Sequence, residues 1–425
     1  MHILFLTDNF PPEVNAPASR TFEHCREWVR QGHRVTVITC APNFPNGRVH
    51  QGYRNQLWSR EIIEGIDVVR VWTVISSNSG FFWRVIDYIS FMISALPAGV
   101  FTKRVDVVVA TSPHLFTPCA GLTIARLKRR PFVFELRDLW PESIRAVGAM
   151  RQSRILDALE RLELFLYRHS DHIVCVTNAF KRNLISRGVP DRKLSVAMNG
   201  ADLSLFTPQP RNEDLTNRLG LKGCVVVGYF GTLGMAHGLE TALEAARQLQ
   251  VHPDGQNIRI LLLGDGAEKR HLRARSAALR LANVVFVDSV PRHQVVTYWS
   301  IADIALIHLK KRKLFETVIP SKLFESMALG IPVLHGVAGE SAEIVQQENC
   351  GVLFEAENAD ELAFSILRLA ANRDQRAALG RNGVAAARRH DRTIIAHRLL
   401  GTLLSVCSLH RARLDAKAQN SRTPL

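Results

Sequence analysis

The segment P-S-K-L-F-E-S-M-A-L-G-I-P-V, Pro320 to Val333, sets a lysine at a helix start, a glutamate three residues on, and a G-x-P stop before a β-branched run. Pro320 and Ser321 suit a helix opening, Pro where no N–H needs a partner and Ser as a cap. The free N–H groups of that first turn, with the macrodipole behind them, favour an anion, and Lys322 adds a full positive charge at the same place. Glu325 shares that helix face and, as a carboxylate, only accepts hydrogen bonds, so ribose hydroxyls are fitting donors. Gly330 and Pro332 predict the helix end and a following strand, Pro332–His335. The chemistry these residue types fit is recognition of a nucleoside diphosphate carrying a sugar. The plainer alternative is an amphipathic helix with Leu323, Phe324, Met327 and Ala328 inward and its charges solvated.

Other segments offer related chemistry. In Y-F-G-T-L-G-M-A-H-G-L-E, Tyr229 to Glu240, Gly231 and Gly234 let backbone approach a diphosphate after a strand. L-L-L-G-D-G, Leu261 to Gly266, begins a dinucleotide fingerprint, but Lys269 stands where the third glycine belongs. That excludes hydride transfer and leaves Gly264 in a base-side loop of a nucleotide pocket. In E-L-R-D-L-W-P-E-S, Glu135 to Ser143, Arg137 and Asp138 end a strand. They are candidates to orient sugar hydroxyls, with Asp138 a candidate proton acceptor, and a local salt bridge is the alternative. No D-x-D occurs, so no metal is expected on the diphosphate. Lys322 and helix N-termini would neutralise the leaving group instead.

The elements that position these groups follow from length and pattern. A chain of 425 residues, 47% hydrophobic and 22% charged, has material for two folded α/β domains. Strands are expected at His2–Thr7, Arg34–Thr39, Asp67–Trp72, Asp106–Ala110, Phe132–Leu136 and His172–Val176, with helices such as Ala18–Gln31 and Arg154–Arg168 between them. After the Pro-rich stretch Thr207 to Asp214 the alternation restarts at Cys224–Tyr229, Arg259–Leu263, Val284–Val287, Ile304–Ile307, Pro332–His335 and Gly351–Phe354. The fold class is therefore α/β, with two Rossmann-like, doubly wound parallel sheets facing across a cleft. The domains are expected at 1–205 and 206–392.

A net charge of +15 requires a partner or surface of opposite sign. No nucleic-acid module or basic–aromatic interleaving is present, which sets nucleic acid aside. An anionic membrane surface fits the short arginine groups, at roughly 1 kcal/mol per well-placed basic residue. Phe81 to Phe101 adds a wide apolar helical face, interrupted by Arg84, Asp87 and Pro97. Its clean run is short of the roughly 20 residues of a span, leaving an interfacial helix and a core helix as equal readings. Seven scattered cysteines without C-x-x-C read as buried hydrophobes in a reducing compartment. With Met1 to Thr7 already strand-like, no leader is expected, and the location is cytoplasmic, on the inner face of the plasma membrane.

The Pro320–Val333 segment resembles the nucleotide-binding signature of GT-B-fold, retaining family-4 glycosyltransferases. D-N-F-P-P-E-V-N-A-P-A-S-R (Asp8 to Arg20), the Arg137–Asp138 strand end, M-N-G-A-D-L-S-L-F (Met198 to Phe206) and the Tyr229–Glu240 loop extend the resemblance over nearly the whole chain. L-W-P-E-S, with P-N-F-P-N-G (Pro42 to Gly47), is most similar to bacterial transferases of fucosamine and other N-acetylated deoxyhexosamines. The resemblance implies catalytic roles for Asp138, Arg137 and Lys322. It implies nucleotide-sugar contacts from Gly231, Gly234, His237, Gly264, Glu316, Thr317, Ser321, Lys322, Leu323 and Glu325, and an acceptor side at Asn15 and Arg20. Metal and cofactor are not expected. The donor is a nucleotide sugar, UDP-linked, and the acceptor a polyprenyl-diphosphate-linked saccharide of surface polysaccharide (O-antigen or capsule) synthesis. A helix at 393–409 would cross back onto the first domain. The chain departs from the family pattern in four places. Arg137 replaces a histidine, Thr232 and His237 stand where a basic pair is usual, Thr317 stands where the first signature glutamate is usual, and the paired glycines near Asn15 are missing. A non-hydrolysing nucleotide-sugar epimerase and a catalytically silent membrane scaffold are the alternatives.

Overall fold

The computed structural model describes residues 1–44, 47–75, 81–139, 142 and 154–420. Parts of P-N-F-P-N-G and of L-W-P-E-S therefore lie outside the described residues. The chain divides into two compact units, Met1–Met198 with Arg392–Leu425, and Asn199–Asp391. The Pro-rich stretch 207–214 lies inside the second unit, where Asn212 caps a short helix, Glu213–Arg218.

Among the described residues, the first unit is built on eight strands: β1 His2–Leu6, β2 Arg34–Cys40, β3 Trp58–Ile63, β4 Ile66–Val71, β5 Val107–Thr111, β6 Phe132–Leu136, β7 His172–Cys175 and β8 Leu194–Val196. Their order is β3-β4-β2-β1-β5-β6-β7-β8. All pairs are parallel except β3–β4. The central strands are continuous apolar runs such as H-I-L-F-L, buried throughout, as a sheet covered on both faces demands. β3, W-S-R-E-I-I, alternates exposed and half-buried residues at the sheet edge, so no apolar run announces it.

Helix Phe81–Phe101 continues through Pro97, so Arg84, Asp87 and Pro97 interrupt the apolar run without ending the helix, and its Trp83–Phe101 window is long and apolar enough to cross a membrane by length and composition alone. One side is core, with Phe91, Ala95 and Ala98 buried. The other exposes Trp83, Ile93, Val100 and Phe101, the last at 73%. The final helix, Arg392–Asn420, starts one residue before and runs eleven residues past the expected 393–409. Its Ile395, Ala396, Leu399, Leu400 and Leu403 join the core that holds Trp28, Phe5 and Val37. The Trp28 indole donates to the Ala396 carbonyl at 2.9 Å, and Arg392 pairs with Glu23.

The second unit carries β9 Val225–Phe230, β10 Ile258–Leu263, β11 Val284–Val287, β12 Ile304–His308, β13 Val333–Gly336 and β14 Gly351–Leu353. They are ordered β11-β10-β9-β12-β13-β14, and every pair is parallel. The strand order reverses between β9 and β12, and β13 lies one residue beyond the expected Pro332–His335.

Candidate functional site

An open parallel sheet offers a ligand the crevice outside the carboxyl ends of the strands where their order reverses. In the second unit that point is β9/β12. The chain leaves β9 through Gly231 and the 3-10 turn Met235–His237, and leaves β12 at His308. Helix Ser321–Ala328 then brings Lys322 beneath the first loop. Its Nζ lies 3.7 Å from the centroid of the Tyr229 ring, and a Cβ built on Gly231 would stand 3.1 Å from that Nζ. With φ +139 and the ammonium so near, Gly231 is the residue that lets the loop close on the lysine. The lysine is only 8% exposed. Burial pushes its pKa down to about 7, against the Glu325 charge, which acts to raise it. His237 is pushed to about 3, by burial and then by Lys322. The Tyr229 hydroxyl donates to the Thr232 carbonyl at 2.7 Å, tying the aromatic platform to the loop above it.

A second loop braces the first. Gly264 has φ +150, and a Cβ there would meet the Gly231 carbonyl oxygen at 1.8 Å, so only glycine permits this approach. The Leu233 N–H donates to the Asp265 carbonyl at 2.8 Å. Lys269, the cation nearest in sequence, spends its charge on Asp265 and Asp288 at 3.4 and 2.8 Å. The helix start differs from expectation in one respect. Pro320, at φ −62 and ψ 132, holds the cap position and Ser321 is the first helical residue, so no side chain caps this end. An uncapped N-terminus beside a desolvated ammonium is a site for an anion.

The structure brings Gly231, His237, Gly264 and Lys322 together around Tyr229 and sorts the remaining candidates. Glu325 is half-buried one turn along the same helix. Leu323 is in the core with its N–H given to the Pro320 carbonyl, so its side chain is excluded as a contact. Thr317 donates its hydroxyl to the Leu314 carbonyl at 2.6 Å, and Glu316 beside it is exposed. Gly234 begins the turn that carries His237. Sequence reasoning missed His308, whose Nε2 accepts the Glu357 N–H at 2.9 Å, so that Nδ1 donates to the His237 carbonyl at 2.7 Å. The only signal was a histidine closing the apolar strand I-A-L-I-H.

In the first unit, the N–H groups of Arg137 and Asp138 both donate to Ser112 Oγ, at 2.7 and 3.2 Å. The Arg137 side chain donates to the Pro17 carbonyl at 3.2 Å, and burial lowers its pKa to about 9. Asn15 caps helix Ala16–Arg30 through the Ala18 N–H. Arg20 needs correction as an acceptor-side residue. At 1% exposure it pairs with Glu135 and donates to the carbonyls of Ala197 and Met198, so it is an internal clamp.

Residues 18–205 match the family described as Glycosyltransferase Family 4, and residues 213–385 match Glycosyl transferases group 1. An Escherichia coli protein named for glycosyl transfer in colanic acid biosynthesis, WcaI, is 24% identical over 78% of this chain and 82% of its own. A GDP-mannose-dependent alpha-mannosyltransferase of Mycolicibacterium smegmatis is 25% identical over 91% and 92%. Among solved structures, Anabaena HepE in complex with UDP superposes with a TM-score of 0.70 at 20% identity, covering 95% of this chain and all of that one.

Proposed function

The chain is a GT-B glycosyltransferase of family 4, and from that premise we propose that it moves an N-acetylated deoxyhexosamine from a UDP-sugar to a lipid-linked saccharide, with retention and without metal. The observation that carries the donor half is Lys322: a dry ammonium against Tyr229, under a glycine loop, at an uncapped helix start. In the transfer, the bond from the anomeric carbon to the diphosphate oxygen breaks and the diphosphate leaves with the electron pair. Lys322 and the helix N–H groups stabilise that charge. The acceptor hydroxyl bonds to the same face of the sugar, and its proton passes to the departing phosphate oxygen. The UDP complex of HepE supports the choice of nucleotide, and the polysaccharide relative supports the class of acceptor.

The membrane half rests on one patch. Ile93, Val100 and Phe101 are exposed, and Lys128 ties the neighbouring helix Phe116–Lys128 to them by donating to the carbonyls of Val100 and Thr102 at 2.8 and 2.6 Å. Exposed Leu127, with Lys103, Arg104, Arg129 and Arg130, completes an apolar surface with a basic rim. That pairing suits anionic lipid.

Calorimetry with UDP and with GDP, followed by transfer from UDP-sugars to a polyprenyl-diphosphate disaccharide in the presence of EDTA, tests the reading. Tight UDP binding that Lys322→Ala abolishes is the expected result. Full transfer by that variant, or isomerisation of donor without acceptor, would overturn it.

A further inference from the structure

The group in contact with the Lys322 ammonium is an aromatic face, not a carboxylate. Nζ stands over the Tyr229 ring at 3.7 Å from its centroid, whereas the other cation–ring contacts among the described residues begin at 4.8 Å. Glu325 acts on the lysine through its charge, and burial is the larger influence. The ring is held for this contact. Tyr229 has no exposed surface and lies on β9 opposite Leu262 of β10. Its hydroxyl is tied to the Thr232 carbonyl, and the His237 ring meets it edge-on, with centroids 5.8 Å apart at 69°. Burial pushes the phenol well above its ordinary range, so it stays neutral. Two residues further on, Gly231 omits the side chain that would crowd Nζ.

Two kinds of neighbour can hold a buried ammonium, and they leave it in different states. A carboxylate at contact distance accepts the N–H groups that a diphosphate needs, and so competes with it. A ring face attracts the cation through its quadrupole, more strongly where water is excluded, and leaves the N–H groups turned away from it to a phosphate oxygen. We infer that Tyr229 is a positioning residue for the donor: its ring face stands in for a counter-ion, keeping the buried Lys322 charged and its N–H groups open to the diphosphate. The inference takes its ligand from the donor-site reading, while the contact between ring and ammonium holds with or without one.

Graded fluorination of the ring tests it on the full chain. Position 229 is replaced by phenylalanine and then by its 4-fluoro, 3,5-difluoro and 3,4,5-trifluoro forms, which withdraw charge from the ring face while nearly conserving its shape. Tyr229→Phe removes the bond to Thr232 and keeps the face, so UDP affinity by calorimetry at pH 6 should stay within about threefold. Along the fluorinated series UDP should weaken stepwise, to roughly tenfold at three fluorines. Uridine, which carries no phosphate, should be unaffected by saturation-transfer NMR. A second readout needs no ligand. The folded chain keeps Lys322 charged below about 7, so each fluorine should lower the melting temperature more at pH 6 than at pH 9, where the folded lysine has lost its proton. A packing role alone would move both melting temperatures together. A flat UDP series in a protein that binds UDP, a parallel loss of uridine, or equal melting shifts at the two pH values would overturn the inference. Failure of the unaltered protein to bind UDP would instead sink the donor reading, and the melting comparison would still decide whether the ring holds the ammonium.

Discussion

Lys322 is an expensive place to keep a charge, and its cost is the means of testing its role. An ammonium driven down to about 7 by burial is less protonated in the folded chain than in the unfolded one between that value and the ordinary 10.5. The folded state therefore gains stability as pH rises from about 7 toward 10.5 and carries the full penalty below 7. UDP affinity runs the other way, because the diphosphate favours the protonated lysine. Calorimetry from pH 6 to 9 should show binding weaken above pH 7, by up to about tenfold per pH unit, with a proton taken up on binding at pH 8. Lys322→Met should remove both effects: melting at pH 6 rises by several degrees, about 2–4 °C per kcal/mol recovered, while UDP binding is lost. A variant that melts lower, or still binds UDP, would contradict a desolvated phosphate-facing ammonium. Glu325→Ala tests the neighbouring carboxylate, with an expected loss of roughly 1.5–3 kcal/mol in donor binding. At this scale the sequence disclosed Lys322 because proline, serine and lysine stand at a helix start. It misplaced Ser321 because Pro320 already supplies the extended cap conformation. It misread Arg20 because a salt bridge to Glu135, 115 positions away, leaves no local trace.

Elements explain both what was legible and what was hidden. Strands covered on both faces must be continuous apolar runs, so Phe132–Leu136, buried throughout, falls where the letters put it. Trp58–Ile63 lies at an edge with one face in water, and Leu194–Val196 is three residues long, so neither announces itself. Phe81–Phe101 reads two ways in sequence because it is two things, a buried seam at Phe91, Ala95 and Ala98 and an exposed one at Ile93, Val100 and Phe101. Ile93→Lys with Phe101→Glu should leave melting nearly unchanged while reducing co-sedimentation with phosphatidylglycerol vesicles; unchanged sedimentation would remove this helix from the membrane reading. The glycine loops are less forgiving. Gly264→Ala puts a methyl 1.8 Å from a backbone oxygen at a φ of +150, so the loop that braces Gly231 must move. Weakened UDP binding and a lower melting temperature are expected together.

The whole molecule is threaded in a way that composition cannot reveal. The chain completes most of one unit by Met198, builds another to Asp391, and returns for the helix Arg392–Asn420. That last helix belongs to the first unit's core, and only resemblance to a known family gave its return. Leu403 has no exposed surface, and Trp28, from the chain's beginning, reaches across to the Ala396 carbonyl. Leu403→Ala should cost about 2–5 kcal/mol, as large-to-small changes in a core do. Excision gives the sharper prediction. Residues 199–391 contain every group assigned to the donor, from Gly231 to Glu325, so this fragment alone should fold and bind UDP within about tenfold of the full chain. Residues 1–198 alone would leave the faces of Trp28, Phe5 and Val37 open to water and should not give a cooperative melt. Joining 392–420 to them through a flexible Gly/Ser linker restores the missing layer and should recover one. A cooperative transition in 1–198 without the last helix would show that Leu399, Leu400 and Leu403 cover a surface already stable on its own.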